Sequence, residues 1–217
     1  MRIDFIKKPM AIETKSFEII DDIIKDEGLS YPVEEPLYKA IYQRAIHTSA
    51  DFDYLDNLKI DADFIRKFED ALTRPVTIYT DTNMALSGIN KGAFEKIPWS
   101  LECLISHEKT VKLAKEQGIT RSMAAVQIAL QTPGEKIFVI GNAPTAIFQL
   151  LESSKKQLDD VIGVIGIPVG FVGAAESKAL LHEHSMPSIV ALGRKGGSNV
   201  AAAIVNALLY QLVGRGV

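Results

Sequence analysis

Three times between residues 136 and 212 the chain runs through one succession: a short apolar stretch, a glycine-bearing turn, then a helix. Lys136-Ile137-Phe138-Val139-Ile140 reads as a strand, Gly141-Asn142-Ala143-Pro144-Thr145 as its turn, and Ala146 to Leu151 as the helix. Val161 to Ile167 reads as the next strand, with Gly170-Phe171-Val172-Gly173 leading into a helix from Ala174 to His182. Ser188 to Leu192 reads as the third, and Arg194-Lys195-Gly196-Gly197-Ser198 opens a helix from Asn199 to Leu212. Strands that are apolar along almost their whole length are buried on both faces. Joined through helices, they require a mostly parallel sheet with helices on both faces, an α/β, Rossmann-like arrangement. Ligands of such sheets sit beyond the carboxyl ends of the strands, which is where all three turns fall.

Upstream, Arg121 to Leu130 reads as a helix and the β-branched run Val76-Thr77-Ile78-Tyr79-Thr80 as a strand. The first 75 residues read as helical. Ile12, Phe17, Ile19, Ile20, Ile23 and Ile24 recur at three- and four-residue spacing. A second helix carries Leu37, Ala40, Ile41, Ala45 and Ile46, begins at the Glu34-Glu35-Pro36 run and ends near His47. A third covers Asp63 to Leu72. This helical N-terminal region reads as an appendage to the sheet. With no long linker or repeat in 217 residues, a length usual for one α/β domain, the expectation is a single domain over 1–217.

Charge and cysteine content narrow the partners. The formal net charge is −3 and the pI about 5.8, so no overall positive field draws nucleic acid or an anionic membrane. The single cysteine, Cys103, excludes an internal disulfide, fits a reducing compartment and reads first as a small buried hydrophobe. Lys7 and Lys8 are followed by no apolar segment of the secretory kind. Val161 to Ala175, the longest weakly polar stretch, is interrupted by Gly163, Gly166, Pro168, Gly170 and Gly173, which is incompatible with a spanning helix. A cytoplasmic protein is expected.

Each glycine turn at a helix start is either a tight connection or an anion site made of free N–H groups and the positive helix end. None is a P-loop or a dinucleotide fingerprint, since the spacings are wrong. Arg121 with Ser122 at a helix start, Asn142 in the first turn, Lys178, and Arg194 with Lys195 put polar and positive groups near these turns, and Arg44 adds another from the second helix. Arginine forks match carboxylates, so several arginines in an acidic chain suggest a ligand with several carboxylates or phosphates. Of the four histidines, His107 lies in a polar segment, and His182 and His184 close a helix with diverging side chains that make a poor metal pair. His47 ends an apolar helix and precedes Thr48, Ser49, Asp51 and Asp53, groups able to fix its tautomer and tune it as an acid or base. Gly-x-Ser-x-Gly, His-Glu-x-x-His and clustered Cys/His sets are absent, which removes the commonest hydrolase and metalloprotease readings.

Segments in fixed order carry a resemblance: Ser16-Phe17-Glu18-Ile19-Ile20, Arg44-Ala45-Ile46-His47-Thr48, Thr120-Arg121-Ser122, Ile140-Gly141-Asn142-Ala143-Pro144-Thr145-Ala146, Gly193-Arg194-Lys195-Gly196-Gly197-Ser198, and above all Pro168-Val169-Gly170-Phe171-Val172-Gly173-Ala174-Ala175-Glu176-Ser177-Lys178. The chain resembles the precorrin-8X (cobalt-precorrin-8) methylmutase family over nearly its whole length. The resemblance implies an isomerase that moves a methyl group from carbon 11 to carbon 12 of a modified tetrapyrrole by a 1,5-sigmatropic shift, giving hydrogenobyrinic or cobyrinic acid. It implies no cofactor and no protein metal site, any cobalt arriving within the substrate. A homodimer with its site near the subunit interface is expected. The family's catalytic histidine falls on His47 and its substrate contacts on Ser16 and Arg44. Arg121, Ser122, Asn142 and Arg194 join the candidate substrate contacts on charge and helix-start position. The competing reading is a tetrapyrrole carrier of the same pathway that binds without catalysing.

Overall fold

Proline at the opening of a helix forfeits only an N–H that has no intrahelical partner, and Pro36 and Pro144 both stand there in this protein. The computed structural model describes residues 7–153 and 155–215; the first six, part of the leader reading above, lie outside the described residues. In chain order the elements are α1 (Pro9–Asp26), α2 (Pro36–Ser49), α3 (Tyr54–Asn57), β1 (Leu58–Ile60), α4 (Ala62–Asp70), β2 (Val76–Thr80), α5 (Asn83–Gly88), a short tight helical segment at Lys91–Lys96 and β3 (Trp99–Glu102). There follow α6 (Glu108–Gln117), α7 (Arg121–Gln131), β4 (Glu135–Ile140), α8 (Pro144–Glu152), α9 (Lys155–Leu158), β5 (Val161–Gly166), α10 (Ala174–Glu183), β6 (Ser188–Ala191) and α11 (Ser198–Leu212). Side-chain caps fix several starts: Asp61 accepts from the Asp63 N–H at 2.8 Å before α4, and Thr120 from the Met123 N–H at 3.2 Å before α7.

Six strands form one sheet in the order β1-β6-β5-β4-β2-β3. All neighbours are parallel except β1, which runs antiparallel to β6 with Leu58 opposite Ala191. The expected mostly parallel α/β sheet is present. Alternation along each strand divides the core in two. Ile137, Val139, Ile165, Ile189 and Ala191 face one cluster, which also holds Ile20, Ile41, Ile46, Phe64 and Val205 from α1, α2, α4 and α11. Phe138, Ile140, Val164 and Val190 face the other, with Val126, Ile147 and Leu181 from α7, α8 and α10.

The N-terminal region is therefore no appendage. It supplies an edge strand and much of one core cluster, and α2 packs along α11. Cys103 is half-buried rather than buried. One close approach on this face involves a glycine in mid-strand. A Cβ on Gly163 would come within 2.5 Å of the Phe64 ring and 2.6 Å of the Pro187 carbonyl oxygen, so its missing side chain is what lets α4 lie on β5.

Candidate active site

From β2 the chain adds β3 outward, then returns to place β4 on the other side of β2. Sheets of this kind open a ligand crevice at such a reversal. In this protein the crevice is filled from within. Asp81, at the end of β2, turns its buried carboxylate onto the turn after β4: the N–H groups of Gly141, Asn142 and Ala143 donate to it at 3.0, 2.8 and 2.7 Å. Burial pushes the Asp81 carboxyl above its ordinary value, against the pull of those three donors. The anion expected at this turn is the chain's own. Ser122 borders a cavity of only about 20 Å³ beside it, with Tyr79, Thr80 and Asp81. Asn142 engages through its backbone while its side chain is exposed.

The other two turns are also internally bonded. The Gly170 N–H donates to the Arg194 carbonyl at 3.1 Å, and the Gly197 N–H to the Ile167 carbonyl at 2.9 Å. Gly196 presses so closely on the Ile167 oxygen that a Cβ would lie 2.3 Å from it. Lys178, expected among the positive groups facing a ligand, is fully buried, and its Nζ donates to the Lys195 carbonyl at 2.7 Å. Burial lowers its pKa to about 8. Arg121 is exposed at the start of α7, on the sheet face opposite α2.

The end of α2 is arranged differently. Residues 44 and 47 are three apart and so share a helix face. Arg44 is largely buried and its guanidinium lies 5.3 Å from the Phe17 ring and 4.7 Å from the Tyr210 ring. It pairs with Glu13, which also receives Arg215. Arg215 in turn sits 4.5 Å from the far neighbour they share, the Tyr210 ring. Burial raises the Glu13 carboxyl, but Arg215 and Arg44 outweigh it and hold the group below its usual range. Two guanidinium groups around one carboxylate leave the cluster one positive charge in excess.

His47 is exposed at the last turn of α2, edge-on to Phe17 with ring centres 5.5 Å apart. Among the described residues its ring makes no hydrogen bond. The acidic neighbours expected to orient it are used elsewhere, because Asp51 and Asp53 both pair with Lys195, at 2.7 and 2.5 Å. Ser49 bonds back to the Ala45 carbonyl. His47 and Arg44 border a cleft of about 250 Å³ with Thr48, Gly88, Asn199 and Asn206. A second cleft of about 280 Å³ lies on the other side of Arg44, between α1 and α11. Asn206 is committed to Gly88 and Asn90, while Asn199 at the start of α11 is exposed and makes no side-chain hydrogen bond among the described residues.

The structure thus brings together Arg44 and His47 and adds Thr48 and Asn199, which sequence reasoning had not singled out as contacts. Thr48 stood in the resembling motif, whereas nothing local marked Asn199, since its place depends on α11 lying against α2. Ser16 is on α1, donating to the Ile12 carbonyl at 2.9 Å, and borders neither cleft. Arg194 lies exposed after β6, its guanidinium 5.8 Å from the Phe171 ring. Among the described residues no cluster of three or more potential metal ligands occurs, and no helix is long and apolar enough to cross a membrane.

An exposed histidine beside a partly neutralised arginine suits proton delivery to a carboxylate-bearing ligand, and likeness to known proteins narrows the choice. A family model described as precorrin-8X methylmutase matches residues 11–211. The cobalt-precorrin-8 methylmutase of Salmonella typhimurium is 56% identical over 210 residues, covering 96% of this chain and 98% of that protein. The precorrin-8X methylmutase of a Sinorhizobium species is 34% identical over 209 residues, covering 94% and 96%. A solved structure of the methylmutase from Thermus thermophilus superposes with a TM-score of 0.81 at 30% identity, over 95% of this chain and all of that one. Sequence and fold agree: the chain belongs to the precorrin-8X methylmutase family, methyl-shifting isomerases of cobalamin biosynthesis.

Proposed function

We propose that this chain moves the methyl group from carbon 11 to carbon 12 of precorrin-8X or its cobalt form, giving hydrogenobyrinic or cobyrinic acid, with His47 as the acid that selects the reactive tautomer. The observation that carries this is the open ring of His47, exposed in a cleft beside Arg44 and free of internal hydrogen bonds among the described residues. Migration within one molecule consumes no co-reactant, so the protein need only bind, orient and hold one proton. A well-placed acid or base contributes roughly 10²–10⁴-fold, and shape matching to the rearranging ring supplies the rest.

Arg44 anchors a rim carboxylate, exchanging part of its pairing with Glu13 for the substrate. Ser16 and Arg194 remain candidate contacts for the other acidic arms, whereas Arg121 and Ser122 stand on the opposite sheet face and Asn142 gives its N–H to Asp81, so none of the three adjoins this cleft. A heavily substituted macrocycle exceeds clefts of about 250 and 280 Å³, which supports a site completed by a second subunit in a homodimer. The same reading makes the chain one cytoplasmic domain without cofactor.

His47→Ala tests this directly. Incubated with excess substrate, the parent converts many equivalents, followed by absorbance, and the variant loses turnover while still binding corrinoid. Conversion limited to one equivalent by the parent would instead identify a carrier, and an undiminished rate in the variant removes His47 from the mechanism.

A further inference from the structure

Folded proteins rarely leave a large aromatic and a branched aliphatic side chain side by side in water without a use. Phe171 is 85% and Val172 91% exposed, and Val169 before them is half exposed. They form the tip of the loop between β5 and α10, at the carboxyl edge of the sheet.

This tip is not a loose end. Below it the loop is bonded to the one between β6 and α11 through Gly170 N–H to Arg194 carbonyl and Gly197 N–H to Ile167 carbonyl. Lys178 ties the start of α10 to the Lys195 carbonyl. The absent side chain of Gly196 lets the two backbones touch. Arg194 lies against the Phe171 ring. Lys195 then links the pair of loops to Asp51 and Asp53, just beyond His47. An apolar surface held this firmly is preorganised, so a ligand meets it without paying to order the loop.

We infer that the 169–173 loop is a platform on which one apolar face of the macrocycle rests, with Arg194 holding an acidic arm at its rim. The inference rests on the methylmutase reading, which already has Arg194 among its candidate contacts, and adds to it the apolar tip of Phe171 and Val172. Size and charge favour this occupant. Two or three side chains fall far short of the roughly 800 Å² per partner that a stable protein interface buries, whereas a flat ring system covers such a tip. A ligand that is apolar in the middle and anionic at its edge matches an aromatic ring flanked by a guanidinium.

The test is titration of the full-length protein with hydrogenobyrinic acid, followed by absorbance, with steady-state kinetics and sedimentation velocity on the same samples. Phe171→Ala is expected to raise the Kd and KM roughly tenfold or more, the factor that burying one such ring represents. Phe171→Tyr should recover most of the loss, and the sedimentation coefficient should not move. Parental affinity and KM in Phe171→Ala, with the parent still turning over, overturn the platform and leave the methylmutase reading intact. A change of oligomeric state in Phe171→Ala also overturns it, making the tip a subunit contact. A parent that binds no corrinoid and converts none overturns both.

Discussion

Asp81 and His47 mark two polar regions whose neighbours behave in opposite ways. Around Asp81 the carboxylate is matched by three backbone donors, and the crevice between β2 and β4 is closed. Around His47 the imidazole and the Asn199 amide face a cleft with no hydrogen-bonding partner among the described residues. The first lies at the carboxyl ends of β2 and β4, and the second between α2, α11 and the end of α5. Internal bonding of polar groups stabilises a shape, and open polar groups cost little when water can reach them. The closed region therefore holds the turns in place, and the open one is available to a substrate.

That contrast breaks or sharpens under substitution. His47→Ala should slow turnover by roughly 10²–10⁴-fold, which is about 3–5 kcal/mol of barrier, yet change unfolding free energy by less than about 0.5 kcal/mol, as for other exposed positions. A large loss of stability, read by urea denaturation, would mean that the cleft is structural after all. Asp81→Ala should do the reverse. Two buried N–H groups and one part-buried one lose their acceptor, for a destabilisation of roughly 3–5 kcal/mol, while any protein that stays folded should retain most of its turnover. An unaltered urea midpoint coupled to lost activity would move the reaction to the switch point.

Lys178 belongs with the closed region, and its pH dependence separates it from the surface lysines. Unfolded, its amine titrates near 10.5, whereas folded it titrates at about 8. Between those values the unfolded chain holds more protons, so stability rises with pH, by up to about 3 kcal/mol. Subtracting the same curve for Lys178→Met should isolate that rise, and identical curves would show that the amine is not isolated from water. Glu13→Gln probes the open region with a smaller effect. Removing the carboxylate leaves Arg44 and Arg215 facing each other, costing about 1–2 kcal/mol, and frees Arg44, so product should bind a few-fold more tightly. Weaker binding would show that Glu13 positions Arg44 rather than competing for it.

Much of the sheet was legible because its central strands are continuous apolar runs with turn residues at their ends. Val161 to Gly166 is buried at every position, as only an interior strand can be. Leu58–Ile60 and Trp99–Glu102 escaped because they are edge strands of three and four residues, and the partner of the first lies more than 120 residues away. The Arg44–His47 pair was visible through helical spacing. The occupant of the Gly141–Ala143 turn was not, since nothing near that turn announces Asp81 sixty positions earlier. Lys178 sits in a helix, Ala-Ala-Glu-Ser-Lys-Ala-Leu-Leu, of ordinary surface composition, and it is the Arg194–Gly197 loop folding over it that buries it.

The contact between Gly163 and Phe64 limits how this sheet can change over evolutionary time. With ring carbons 2.5 Å from where a Cβ would stand, alanine at 163 is blocked unless position 64 shrinks first, and a smaller residue at 64 leaves a void that costs about 3–5 kcal/mol while it lasts. Even then the Pro187 carbonyl oxygen, 2.6 Å away, must retreat as well. A side chain at 163 therefore has to wait on changes at two other places, which makes the bare position on β5 the last of the three that can vary.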